Sequence, residues 1–318
     1  MSAGPRRGAW RRVDGIVLLD KPAGATSTGA LQRVRRLLQA AKAGHAGTLD
    51  PMATGMLPLC FGQATKASGM LLGSAKAYRA RLKLGAATDT GDAEGTVVSE
   101  APVPPLTREQ MLAVLEGLRG PGMQVPPMYS ALKRQGRPLY ELARRGEVVP
   151  REPRAIEIRR LDLVALAPDS LEFEVVCSKG TYIRVLGEEV ATRVGSVGHL
   201  TALRRLWVEP FEADAMVSLE EIEQWAASES RADPPGWLLP ADTAFRRLPR
   251  IDLSAGQALH LRQGRVLEAP AGSVPAERLA AYAPAGEFLG VVSVGADLRV
   301  RTVRLFVAGD PDENTGTA

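Results

Sequence analysis

The sequence predicts an α+β fold built on a mixed, largely antiparallel sheet, with a smaller β-rich unit behind it. Three observations carry this expectation. Residues 77–84 alternate cleanly, with Tyr78, Ala80, Leu82 and Leu84 on one face and Arg79, Arg81 and Lys83 on the other, the mark of a half-buried strand with a basic outer face. Such strands are interleaved with helical stretches rather than segregated from them. A polar, proline-rich run, Ala227–Gly236, then divides the chain, as a linker would.

Taken in order, Ile16–Asp20 reads as a buried strand entering a Lys21-Pro-Ala-Gly24 turn. Ser27 or Thr28 is placed to cap a helix whose Leu31, Val34, Leu37, Leu38 and Ala41 share a face. Thr88–Gly95 is turn-rich and acidic but lacks the spacing of an EF-hand, so it reads as a structural loop. Thr107-x-x-Gln110 is a capping box opening a helix with Met111, Val114, Leu115 and Leu118 as its stripe. A short helix follows at Pro138–Arg145, then strands at Ala155–Leu161 and Leu171–Cys177, and a helix at about 186–194. Ser218-x-x-Glu221 caps another helix. Beyond the linker come Leu248–Leu253, a helix from Ser254 to Gln263, and strands near 287–294 and 298–307. The last residues, 309–318, are polar and acidic and read as a disordered tail.

Composition narrows the class. The 318 residues are 45% hydrophobic and 24% charged, ordinary for a soluble globular protein of about two domains. No apolar run approaches the roughly 18 residues of a membrane span, and the run after Arg11 and Arg12 is too short for a signal peptide. Cys60 and Cys177 are the only cysteines, which argues against a disulfide framework and fits a reducing cytoplasm. With three histidines, nothing clusters at metal-ligand spacing, and no metal is expected. The net charge is +4, yet residues 133–160 alone hold nine basic side chains against four acids. Such a concentration is either a solvated surface or the electrostatic footprint of a phosphate-bearing partner.

The chain is centred on residues 44–62, GHAGTLDPMATGMLPLCFG. Pro51 disfavours a helical conformation at Asp50, and Gly44, Gly47 and Gly55 permit left-handed backbone or close approach. The stretch is polar at its tip and apolar at its exit, where Met56, Leu57, Leu59 and Phe61 follow. By itself this describes either an ordinary Asp-Pro turn or an exposed carboxylate on a rigid base.

The same stretch resembles the catalytic motif of the TruB family of tRNA pseudouridine synthases. Further segments follow in that family's order: Asp14–Gly24 with its KPxG, KAYRARLKLG from Lys76, VPPMYSALK from Val125 and SKGTYIR from Ser178. Together they span roughly residues 13–210. The resemblance implies a pseudouridine synthase catalytic domain over 13–226, after a flexible N-terminus at 1–12, with an RNA-gripping insertion at about 124–154. A linker at 227–245 and a PUA-like RNA-binding domain at 246–308 complete it, though the match there is looser. It implies Asp50 as the catalytic aspartate, Arg184 as the cation beside it, and Tyr78 as the aromatic that stacks on the target base. A cation at that point would keep the Asp50 carboxyl acidic despite burial. Tyr182 and Leu203 would line the pocket, His45 would fill the space left by a flipped nucleotide, and Lys21 would brace the catalytic loop. Lys133 falls in the gripping segment. From pattern alone, Tyr78, Tyr182 and Leu203 are indistinguishable from core residues, His45 from a structural loop histidine and Arg184 from a surface strand arginine.

The implied activity is isomerisation of uridine 55 in the TΨC loop of tRNA, by base flipping and without cofactor. The implied partner is the tRNA stem-loop, with no membrane, no obligatory protein partner and a monomeric chain. Two alternatives stand beside it: a guide-RNA-dependent synthase subunit, and a non-catalytic tRNA-binding or tRNA-folding protein.

Overall fold

The structure is a computed structural model that describes residues 10–134, 136–228 and 236–306, with the backbone alone at Lys133, Arg134 and Pro138. Residues 1–9 of the expected N-terminal arm, 229–235 of the expected linker and 309–318 of the expected tail lie outside the described residues.

The chain runs through β1 (Gly15–Lys21), α1 (Ser27–Leu38), β2 (Ala43–His45), β3 (Thr54–Phe61), α2 (Ser68–Gly73), β4 (Lys76–Leu84), β5 (Ala86–Thr88) and β6 (Val97–Glu100). It continues through α3 (Arg108–Glu116), β7 (Gly120–Gln124), β8 (Lys133–Arg134), β9 (Arg137–Pro138), α4 (Leu139–Ala143), β10 (Arg154–Ala167) and β11 (Ser170–Cys177). Next come α5 (Ile183–Arg193), β12 (Gly198–Val208), β13 (Val217–Ser218), α6 (Leu219–Ala227) and β14 (Leu238–Leu239). A last unit holds β15 (Arg250–Asp252), α7 (Ala255–Arg262), β16 (Leu267–Glu268), β17 (Ala276–Tyr282), β18 (Phe288–Val294) and β19 (Arg299–Leu305).

The main sheet is mixed and largely antiparallel, in the order β13-β1-β3-β12-β4-β11-β10-β7, with β14 and β2 added at β1 and β3. Among the described residues, only the β1–β13 and β3–β12 pairings within it are parallel. The fold class is therefore the α+β arrangement that the strand pattern predicts. Val17, Leu19, Leu57 and Leu59 face a core shared with α1, α3 and α5. Ile16, Leu18, Met56 and Cys60 face the opposite way, into a second core. β1 and β3 are apolar without interruption because both their faces are covered.

Several local expectations hold, and several are corrected. The capping boxes at Thr107/Gln110 and Ser218/Glu221 are both formed. The cap of α1 is Thr26, whose hydroxyl accepts from the Gly29 N–H, rather than Ser27 or Thr28. The basic outer face of β4 is neutralised across the register: Arg79 pairs with Glu174 at 2.6 Å, Arg81 with Glu172 at 2.5 Å, and Lys83 with Asp169. β12 went unrecognised because two register shifts, after Leu200 and after Arg205, break its alternation.

The last unit is a five-stranded sheet, β15-β17-β18-β19-β16, with α7 alongside. It packs on the back of the main sheet. Ala280, Val291 and Phe306 join Leu18, Met56, Val208, Phe211 and Phe245 in the second core, and Phe245 lies 5.3 Å from the ring of Phe288 and 5.2 Å from that of Phe306. Within the stretch expected as linker, Leu238–Leu239 pairs with β1 and Phe245 is buried. Phe245→Ala should therefore cost about 3–5 kcal/mol and lower the melting temperature of the whole chain. A melting curve that separates into two independent steps, with the main unit unaffected, would show that this core is not shared.

Candidate active site

Asp50 lies in the β2–β3 connection, a loop tied down from both sides. The buried Ser27 hydroxyl donates to Leu49 O at 3.0 Å and accepts from Leu49 N at 2.8 Å. On the other side the Pro51 carbonyl accepts from Gly24 N at 2.8 Å and from Lys21 Nζ at 3.1 Å. Lys21 is wholly buried at the end of β1, and its ammonium also donates to Pro22 O and Ala25 O, at 2.8 and 2.6 Å. Burial pulls its pKa down to about 8, against the upward pull of Asp50.

Two glycines make this loop possible. Gly47 has φ +109°, and Gly55 has φ +96° with the backbone of β12 so close that a Cβ would stand 2.1 Å from Arg205 O. A side chain at Gly55 would force β3 and β12 apart.

Arg184 comes from the first turn of α5. The helix begins earlier than the sequence suggests, because its N-terminus is closed by a distant side chain: Gln124 on β7 accepts from Tyr182 N at 2.7 Å and donates to Tyr182 O at 3.0 Å. Arg184 is 4% exposed. Its Nε lies 2.9 Å from Asp50 Oδ2 and 3.6 Å from Asp92 Oδ2. Its Nη1 donates to Thr90 O at 2.6 Å, and its Nη2 to Tyr129 O at 2.7 Å. One guanidinium thus joins the Asp50 loop, the 88–95 loop and the 124–154 segment.

The expectation of a strongly acidic Asp50 is corrected. Its carboxyl is raised above the ordinary carboxylate value, first by desolvation, with Arg184 pulling it down and Asp92 pushing it up. The side chain keeps one-third of its surface open and lines an open cavity. Arg184 divides its charge between two carboxylates and two carbonyls, so its pull on Asp50 does not offset the burial.

The cavity measures about 770 Å³ and is lined by the Asp50 loop, the start of α1, the 89–96 loop, Tyr129–Ala131 and Arg144. Its size suits a nucleoside. Among the predicted site residues, Asp50 and Arg184 line it. Tyr78 (8% exposed) and Leu203 (6% exposed) lie in the core of the sheet, and Tyr182 caps α5. Burial raises both phenols, and the Asp50 charge reaches each of them. His45 sits on β2 opposite Leu59, with a buried Nδ1 that has no hydrogen-bond partner; burial, and then Arg205, lower its pKa. Lys133 is in β8, and its side chain lies outside the described residues.

Asp92 was missed. It is 3% exposed and is held by the Thr90 hydroxyl and Glu94 N, at 2.6 and 3.1 Å. The acidic loop read as purely structural therefore forms one wall of the site. In a turn-rich acidic sequence, nothing marks which carboxylate is turned inward.

Lys21→Met would leave three carbonyls without their shared donor in a buried place. It should cost about 2–4 kcal/mol in denaturant unfolding. A change below about 0.5 kcal/mol would show that the ammonium does not hold the loop.

Comparison with known proteins places this geometry. The TruB family pseudouridylate synthase N-terminal domain matches residues 35–183, and the tRNA pseudouridylate synthase B C-terminal domain matches residues 184–246. The chain is 47% identical over 289 residues to the tRNA pseudouridine synthase B of Chromohalobacter salexigens, covering 91% of this chain and 93% of that one. It is 52% identical over 281 residues to that of Aromatoleum aromaticum, covering 88% and 89%. In fold it is similar to a chain in the crystal structure of a Cbf5-Nop10-Gar1 complex, with a TM-score of 0.72, 21% identity and coverage of 96% and 91%. On these grounds the chain belongs to the TruB family of pseudouridylate synthases.

Proposed function

We propose that the chain converts uridine 55 of the TΨC loop of tRNA to pseudouridine, acting alone in the cytoplasm. The observation that carries this reading is a carboxylate, Asp50, held 2.9 Å from a buried arginine on the floor of a nucleoside-sized cavity. The reaction breaks the bond between uracil N1 and ribose C1′, turns the base, joins C5 to C1′, and moves a proton from C5 to solvent while N1 gains one. It neither gains nor loses electrons and consumes no water, so it calls for no cofactor. Its needs are a nucleophilic or electrostatic carboxylate, a wall for the detached base and an acceptor for the C5 proton.

Asp50 fills the first role. Arg184 orients it and favours its ionised form. The uridine must leave its stack to reach it, and the open face of Asp50 is where it would arrive. Tyr78 and Tyr182 are the aromatics for the base, Leu203 the apolar wall below them, and His45 the residue for the vacated stack. Lys21 braces the loop from behind. Lys133 and the 124–154 insertion grip the RNA, together with Arg144 and Arg145, which carry no ion pair among the described residues. The β15–β19 unit is a PUA-like RNA-binding domain in this reading. Recognition is of folded RNA shape and phosphates.

With a tRNA transcript tritiated at uridine C5 and no guide RNA, wild type should release tritium from one loop uridine. Asp50→Asn should lose activity by a factor on the order of 10⁴ or more while retaining RNA affinity. No release by wild type, with tight binding, would favour a guide-dependent subunit or a binding protein. Because Asp50 acts as the anion and its pKa is raised, the single-turnover rate should fall with decreasing pH at a midpoint above the ordinary value of about 3.9. A midpoint at or below that value would mean that Arg184 outweighs the burial.

A further inference from the structure

Besides Arg184, three cations are buried around the Asp50 loop: Lys21, Lys76 and Arg205, at 0, 6 and 1% exposure. Among the described residues none of them forms an ion pair within 4 Å; each donates to backbone carbonyls instead. Lys21 is accounted for by the loop it braces, and Lys76 closes the end of α2 through Leu71 O, Leu72 O and Ser74 O. Arg205 is different in kind, because its contacts fall on two separate parts of the site.

Its Nε donates to Met56 O at 2.6 Å and its Nη2 to Gly47 O at 3.2 Å. These two carbonyls bracket the segment that carries Asp50. Its Nη1 lies so close to Gly47 that a Cβ there would stand 3.3 Å from it. The register of β12 sets Arg205 beside Gly55 on one neighbour and beside Tyr78 on the other. Burial raises the pKa of the Tyr78 phenol, and the guanidinium charge acts on it to pull that pKa down. The register shift after Arg205 turns the strand at this point, a device found beside active sites that re-aims a side chain.

The preceding residue shows what an ordinary arginine does here. Arg204 points the other way and pairs with Asp20 through both nitrogens, at 2.9 and 2.7 Å. Arg205 has no such carboxylate, so its burial is costly. A packed apolar side chain would stabilise the sheet at less cost, but it would not join the two ends of the loop to the tyrosine. The planar fork suits that task, since it presents several donors at fixed angles.

We propose that Arg205 is a positioning residue for the reaction at Asp50: its guanidinium fixes both ends of the catalytic loop and seats the Tyr78 phenol relative to it. The inference rests on the proposed reading of the site. It assigns no contact between Arg205 and the RNA. Its effect belongs to the chemical step and not to binding, and it depends on the fork rather than on the charge alone.

The test compares wild type, R205K and R205M on a T-arm RNA hairpin tritiated at uridine C5, with the single-turnover rate, hairpin affinity and melting temperature measured for each. For both folded variants the rate should fall about 100-fold or more, corresponding to about 2.7 kcal/mol, with affinity within about threefold of wild type. R205K should not rescue R205M. A folded variant with a rate within about threefold of wild type overturns the proposal, as does a loss of rate matched by an equal loss of affinity. Should both variants be unfolded at the assay temperature, Gly47→Ala gives the same reading. It leaves Arg205 present but places a methyl against Nη1, and an unchanged rate in the folded protein overturns the proposal. Absence of tritium release by wild type overturns the reading of the site and this inference together, whereas release by wild type with undiminished variants overturns this inference alone.

Discussion

A carboxylate placed below the surface of a protein tends to hold its proton, and the site is arranged around that constraint. Asp50 has one strong ally, Arg184, and that arginine is itself buried and must satisfy all its donors. It does so with Thr90 O, Tyr129 O and two carboxylates. These partners come from three separate parts of the chain, Thr90 and Asp92 sharing one loop. The start of α5, the Asp50 loop, the 88–95 loop and the 124–154 segment are therefore held in one arrangement by the needs of a single guanidinium.

The sheet supplies the rigidity on which this depends. β1 and β3 are covered on both faces, so the loop between β2 and β3 runs directly into a strand that is buried along nearly its whole length. The second core ties the five-stranded sheet to the reverse of those strands through Phe245, Phe288 and Phe306. The front of the sheet carries the cavity and the back carries the added unit, with β1 and β3 common to both.

Much of this was legible in the sequence, and the reason is local. Capping boxes, the alternation of β4 and the unbroken apolar runs of β1 and β3 are written in neighbouring residues. Asp50 stood out because glycine, proline and an apolar exit surround it. What escaped was set by distant partners. The start of α5 depends on Gln124, more than fifty residues away. Asp92 is one of several acids in its loop, and only its inward turn toward Arg184 distinguishes it. Arg205 follows Arg204 in sequence with nothing to distinguish the two, and its direction is decided by the register of β12 against β3 and β4. The acidity expected of Asp50 was misjudged for the same reason, since the competing partners of Arg184 cannot be counted from a motif.

The ion pairs along β4 and β11 bear on how this protein would feel salt. Arg79, Arg81 and Lys83 are matched by Glu174, Glu172 and Asp169, so that face carries little net field and would displace few ions from a polyanion laid across it. In the counterion-release picture, only cations that replace condensed ions contribute to the slope of affinity against salt. Of the 40 lysines and arginines, those already neutralised within the fold drop out of that slope. The ionic-strength dependence of RNA binding would therefore measure a footprint smaller than the basic composition suggests.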